Sequence, residues 1–476
     1  MSNLSQKCKQ YLEANGYTVY GLAKSSGLDR TSIHRLVTGS RIPSLDFLTN
    51  FCDVLRINPP QRKEILELYE EAKVGTPIFQ SRKYIRQMLS DIAVLERSRF
   101  FPKASYSAPM LTLQSETHTV LQTQNQIYTF LESAYHKEES EAYILCNFPA
   151  NMPIPFFTMA QQLYIKYRRK ISLKHLVTFS SNPHVQINSN CNLKTLSNVL
   201  PLVFSGFANY LPYYTYSQIS ETDCFQCVWP YYLIAHDTVL VFSADFTKSI
   251  LHTNPVHVEM YRSEMERIFQ DSRPLMSVSS SINDSLSLYL NAKLAKGPVC
   301  SSMESMPCFL PCLPQSLLQP LFSYDVDGRL QRSFPQFADA PASKASPSYF
   351  FEAGLRSFLK TGQIRGQMSS YLPPLDLEQR RSLLRRFVET NNGNLQECKM
   401  LKTNFPFSEN FYLELLPENQ LLFCMFEENN RIRFILINES SIFEAFADYL
   451  QYMSDSANSY SLLETNRYIL NQINID

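Results

Sequence analysis

Arg30, Thr31, His34 and Arg35 stand at i, i+1, i+4 and i+5 within the stretch GLAKSSGLDRTSIHRLVTGSRIPS, residues 21–44. On a helix, which turns once in roughly 3.6 residues, that spacing gathers all four on one face. Ile33, Leu36 and Val37 then fall on the opposite, apolar face. The chemistry open to the polar face is recognition by hydrogen bonding. An arginine can grip guanine O6 and N7 with two donors at once, worth about 1–3 kcal/mol of discrimination per good pair. Threonine can donate, accept, or set its methyl group against thymine. His34 sits beside them as a base or phosphate contact.

Charge is concentrated in the same place. Between residues 18 and 45, Lys24, Arg30, Arg35 and Arg41 face Asp29 alone, a local +3 in a chain of 476 residues whose net charge is zero. A protein that coats nucleic acid would be basic throughout, so any such contact here is local.

Five short helices are needed to hold this face. Leu4, Cys8, Tyr11 and Leu12 have helical spacing over residues 4–14. Thr18 is an N-cap type before a second helix ending near Ser25, and Gly27 permits the tight turn that follows. Asp29 caps a third helix over residues 30–37, closed by Gly39. Pro43-Ser44 opens a fourth, with Leu45, Leu48, Cys52 and Leu55 as its stripe. Asn58-Pro59-Pro60 interrupts before a fifth over residues 61–73, with Ile65, Leu68 and Tyr69 inward.

Leu22-Ala23, Gly27, Ile33, Gly39, Pro43-Ser44 and Leu55 fall at the spacings of the lambda-repressor-like (XRE-type) helix-turn-helix domain, and residues 4–72 resemble it. Val37-Thr38 departs from the Glu-Asn that many relatives carry before the glycine. The resemblance implies that the helix at 30–38 enters the major groove of double-stranded DNA while the helix at 18–26 crosses the backbone. Arg30, Thr31 and Arg35 match the family's base-reading positions. Thr18 matches a position that holds the backbone, and Ser40 and Arg41 would hold phosphates, with Lys24 on the same side.

The remainder of the chain reads as mixed α and β. Residues 81–97 form a connecting helix with Tyr84, Met88, Ile92 and Leu95 on its stripe. A strand at 143–148, a helix at 156–170 and a strand at 171–179 make a βαβ-like unit. A hairpin follows over 231–242, turning at His236-Asp237, then a helix from Asn254-Pro255 to Phe269. Residues 270–348 shift to Ser and Pro, with loop-like flanks and an apolar middle at 307–322. Beyond it, helices at 349–360 and 377–389, a strand at 395–401, a meander over 411–437 and a helix at 441–453 repeat the earlier order. The expected fold class is therefore multidomain: an all-α helix-turn-helix domain of five helices, then a large α/β (α+β) region of two divergent modules. The expected divisions are 1–75, a connecting helix at 76–99, a module at 100–270, a connecting segment at 271–344 and a second module at 345–476.

No enzyme signature is present. Five of the 12 glycines lie in the first 75 residues, and phosphate-cradling glycine loops are absent. The order of elements resembles the degenerate phospholipase-D-like sensor domains fused to some regulators. An active member needs H-x-K, and none of the eight histidines has a lysine two residues on. The expectation is a non-enzymatic chain without cofactor or metal. Cys224-Phe-Gln-Cys227 is a lone C-x-x-C, read with the other cysteines as buried free thiols. No run of 18 apolar residues exists and the first residues lack a signal pattern, so no membrane contact and a cytoplasmic location are expected.

These readings point to a sequence-specific transcriptional regulator acting as a homodimer, with the C-terminal region dimerising or sensing a small-molecule or peptide effector. Phe204, Phe207, Tyr210 and Tyr214 can line an apolar pocket for it; the alternative is ordinary core. Two other readings stand beside this one: a protein-interaction scaffold that binds no DNA, and a DNA-targeted hydrolase.

Overall fold

The computed structural model describes residues 2–98, 114–137, 142–149, 156–181, 186–205, 208–217, 228–279, 301–309, 312–314, 347–364, 372–393, 397–403, 405–427 and 431–473. The chain is multidomain α+β, in two compact units of residues 1–83 and 84–476.

The first unit is helical: α1 (Asn3–Ala14), α2 (Val19–Ser26), α3 (Arg30–Thr38), α4 (Leu45–Val54), α5 (Pro59–Val74) and the start of α6 (Thr76–Ser98). Ser2, Thr18, Asp29, Ser44 and Asn58 each cap a helix with a side-chain oxygen, satisfying a backbone N–H that the helix cannot. Leu4, Cys8, Leu12, Leu22, Ile33, Leu36, Leu48, Phe51 and Ile65 are buried in one core. Two details differ from the sequence reading. Leu45 is exposed and Phe51 takes the inward place, because the fourth helix turns its 48/51/52 face to the core. Pro59-Pro60 begins α5 instead of preceding it. The first helical turn needs no N–H from these positions, so proline fits there.

Ile85, Met88, Leu89 and Ile92 of α6 belong to the core of the larger unit. That unit continues with β1 (Glu116–Thr117), α7 (Val120–Lys137), β2 (Ala142–Cys146), α8 (Phe156–Tyr167), β3 (Ile171–Ser180), α9 (Gln186–Ser205), β4 (Ala208–Ser217), β5 (Tyr231–Ile234), β6 (Val239–Phe242), β7 (Ser249–His252), α10 (Pro255–Asp271) and β8 (Arg273–Pro274). Its second half runs through β9 (Met276–Ser279), β10 (Ser302–Glu304), β11 (Pro347–Phe350), α11 (Glu352–Thr361), α12 (Leu377–Thr390), β12 (Glu397–Met400), β13 (Phe411–Leu416), β14 (Gln420–Glu427), β15 (Arg431–Ile437), α13 (Ser440–Met453) and α14 (Leu462–Ile473).

Two sheets result. One has the order β1-β7-β6-β5-β2-β3-β4-β8, the other β12-β11-β10-β13-β14-β15-β9. Reversed, the second matches the first strand for strand up to β4. In each, three parallel strands (β2-β3-β4, β10-β11-β12) join an antiparallel meander (β5-β6-β7, β13-β14-β15), which an earlier antiparallel strand (β1, β9) flanks. Even β8 has a counterpart, an antiparallel bridge between Leu401 and Ser459. The two halves are one topology used twice.

That register shifts the correspondence drawn from element order. The stretch at 349–360 opens as strand β11, the partner of β3. The helix at 377–389 and the strand after it correspond to α9 and β4, not to α8 and β3. Strands β9 and β10 lie in the stretch whose composition reads as a connection, and β10 sits in the middle of the second sheet. A three-residue strand between two partners takes its stability from pairing, so Ser- and Pro-rich sequence hides it. In the apolar middle of that stretch Phe309, Cys312 and Leu313 are buried against Phe358 and Phe387; residues 315–322 lie outside the described ones.

The modules stack front to back. In the first, α7, α8 and α9 lie on the face turned to the shared core, and α10 lies on the other face against Leu145, Ile234, Val239 and Val241. In the second, α13, the counterpart of α10, lies in the shared core against α9, while α11, α12 and α14 cover the far face. Phe204 of α9 meets Phe411 and Phe423 of the second sheet at 6.0 and 6.4 Å.

Candidate nucleic-acid interface

Thr18 begins the interface. Its Oγ1 accepts the Gly21 N–H at 3.0 Å, leaving the hydroxyl hydrogen at an exposed helix N-terminus. α2 ends at Gly27, whose φ of +73° is left-handed and suits glycine. Asp29 then caps α3, accepting the Ser32 N–H at 2.6 Å. Hydrogen bonds from Ser32 hold the Asp29 carboxyl below the usual carboxylate range, with Arg35 adding a weaker attraction. The one acidic group of this stretch is thus engaged at the helix end.

Along α3, Ile33, Leu36 and Val37 are buried, and Arg30, Thr31, His34 and Arg35 are all exposed on the other face. Thr38 Oγ1 donates to the His34 carbonyl at 2.7 Å and lies 3.2 Å from Ser40 Oγ. Gly39 closes the helix with φ +74°, and a Cβ there would stand 3.0 Å from Ser5 Oγ. Ser40 and Arg41 follow, both exposed, and Lys24 is exposed on α2. Among the described residues, no carboxylate lies within ion-pair distance of Lys24, Arg30, Arg35 or Arg41.

Tyr20, absent from the sequence reading, belongs to this surface. It is the second residue of α2, its side chain is 60% exposed, and the Arg30 guanidinium carbon lies 5.5 Å from its ring centroid. The signal in the sequence is an aromatic residue two positions after the capping threonine, outside the apolar stripe.

The sequence match decides what this surface belongs to. Residues 9–61 fit the model of the helix-turn-helix family HTH_3. The N-terminal domain is an XRE-like helix-turn-helix domain. α2, the turn at Gly27 and α3 all lie within the matched residues. No curated protein matches the chain significantly. Among solved structures, TrmBL2, an archaeal chromatin protein, is similar over 57% of this chain and 94% of its own, with 11% identity and a TM-score of 0.22. A phosphatidylserine synthase from Haemophilus influenzae is similar over 80% of this chain and 95% of its own, with 10% identity and a TM-score of 0.25. Scores of this size establish no common fold.

The described aromatic residues of the expected pocket are packed. Phe204, Tyr210 and Tyr214 are all buried. Tyr210 Oη lies 2.6 Å from His175 Nδ1, and Tyr214 stacks on Phe179 at 5.2 Å. Phe207 lies outside the described residues, as do Cys224 and Cys227. The described cysteines are free, six of them (Cys8, Cys52, Cys146, Cys312, Cys398, Cys424) buried. No helix is long and apolar enough to cross a membrane among the described residues.

Proposed function

We propose that this chain is a non-enzymatic, sequence-specific regulator of transcription that reads double-stranded DNA through α3. The observation carrying this reading is the exposed face of Arg30, Thr31, His34 and Arg35, free of ion pairs, on α3, the second helix of the helix-turn-helix motif. Arg30, Thr31, His34 and Arg35 read base edges, and Thr18, Lys24, Ser40 and Arg41 hold phosphates. One such head contacts few base pairs, so two copies bind two half-sites, joined through the C-terminal modules.

The test is selection of duplexes from a random pool by the full-length chain at defined salt. Enrichment of a palindromic site bound by two chains supports the reading. Equal, salt-dependent binding to every duplex, or none, sinks it. A chain that binds no DNA but captures a protein through residues 1–75 would favour the scaffold instead.

A further inference from the structure

We propose that Tyr20 is a positioning residue that sets the specificity of Arg30, an assignment that rests on the DNA-reading function above. Arg30 is the first residue of α3, where no earlier helical turn confines its side chain. A long side chain loses rotamer freedom when it grips a base, and that loss weakens recognition unless the chain is already ordered.

A carboxylate can order a surface arginine through a bidentate pair. That solution occupies the guanidinium's in-plane donors, the same ones needed for guanine O6 and N7. An aromatic ring works differently. It attracts the face of the guanidinium through its quadrupole and leaves the N–H edge free. The Arg30 guanidinium carbon lies over the Tyr20 ring, 5.5 Å from its centroid and within cation–π reach. No carboxylate competes for Arg30 among the described residues.

Tyr20 lies outside the apolar core of its domain. The ring is 60% exposed and takes no part in the core built around Leu22, Ile33 and Leu36, whereas its neighbour Val19 packs against that core. A large aromatic side chain left in water on α2, with Arg30 as its recorded ring partner, is accounted for by holding that arginine. The coupling ties α2, which crosses the backbone, to a base-reading residue of α3.

The experiment uses the full-length chain and its selected duplex. Arg30→Ala first identifies the base pair at which preference is lost. Discrimination there is then measured for Tyr20→Ala and Tyr20→Phe, alone and with Arg30→Ala. We expect Tyr20→Ala to lower discrimination at that one pair by roughly two- to five-fold, as an exposed cation–π contact would. Tyr20→Phe should match the parent, and Tyr20→Ala should add nothing at that pair once Arg30 is gone. The salt slope of binding should not change, since no charge is lost. Thermal melting at the parent's temperature shows that the variants fold. An equal loss at every base pair, a further loss in the Arg30→Ala background, or no loss at all overturns the assignment. A parent chain with a preferred site but a Tyr20→Ala variant of unchanged preference defeats Tyr20 alone; a parent with no preferred site defeats the DNA reading and Tyr20's role with it.

Discussion

The Tyr216 hydroxyl donates to Glu439 Oε1 at 2.6 Å, joining residues 223 positions apart in sequence. Tyr216 is the penultimate residue of β4 in the first module, and Glu439 caps α13 of the second, accepting from Ile442 N–H at 2.8 Å and Ser441 Oγ at 2.7 Å. Ser441 also meets Asn192 Nδ2 at 3.0 Å, and Tyr214 Oη reaches the Asn438 carbonyl. Burial, together with the hydrogen bond to Glu439, pushes the Tyr216 hydroxyl above its ordinary range, so it stays a donor at neutral pH.

Tyr216→Phe should therefore weaken the larger unit by about 1–2 kcal/mol, since a half-exposed ring loses a hydrogen bond to a charged acceptor. Glu439→Ala should cost more, because a cap and the inter-module bond vanish together. Urea unfolding of the full chain measures both. Equal midpoints for Tyr216→Phe and the parent would show that the bond between modules is not a stabilising one.

His175 makes stability depend on pH. It is fully buried on β3, with Nδ1 2.6 Å from Tyr210 Oη and Nε2 2.7 Å from the Phe148 carbonyl. Burial lowers its pKa from 6.5 to about 4. The folded chain holds the ring neutral, and the unfolded chain protonates it near the ordinary value. The contribution is thus complete above about pH 6.5 and is lost as pH falls from there toward 4. Urea midpoints should drop between pH 7 and pH 5, and His175→Gln should flatten part of that slope.

How much of this was legible follows from where each signal lives. The interface was readable because its determinants are local: Asp29 and Gly39 fix both ends of α3, and the 33/36/37 spacing fixes which face is buried. Tyr20 was not, because its significance comes from a residue ten positions away on another helix. In the larger unit, β3 alternates buried and half-buried positions and reads easily. Helix α9 and strand β4 escaped notice. Pro201 lies inside α9, and the LPYYTY run of β4 packs Tyr214 into the core on one face of the sheet and Tyr213 against Phe269 on the other, so no apolar–polar alternation marks it. The repeated topology was visible only as element order, because pairing partners, not residue identity, define it.

Gly39 and Gly27 should respond differently to alanine. Both have left-handed φ, where a Cβ costs roughly 1–2 kcal/mol. At Gly27 the added atom meets nothing within 4 Å, so that cost stands alone. At Gly39 it also presses on Ser5 of α1, 3.0 Å away, so Gly39→Ala should be the more damaging. Hydrogen exchange of the α1–α5 amides in the full chain gives the order, and equal protection in both variants would show that Ser5 yields freely.

Arg35 and Arg41 separate reading from gripping. Arg35 lies on the outward face of α3, where a bidentate bond to guanine is worth about 1–3 kcal/mol. Arg35→Ala should flatten preference at one base pair and leave other positions unchanged. Arg41 follows the left-handed Gly39 in the exposed loop before α4, where the proposed function gives its charge to phosphate. Arg41→Ala should weaken binding to the selected duplex and to random DNA by the same factor, and lower the slope of log affinity against log salt by about 1. Should Arg41→Ala change sequence preference instead, the loop enters a groove, and the division between α3 and the loop drawn here is wrong.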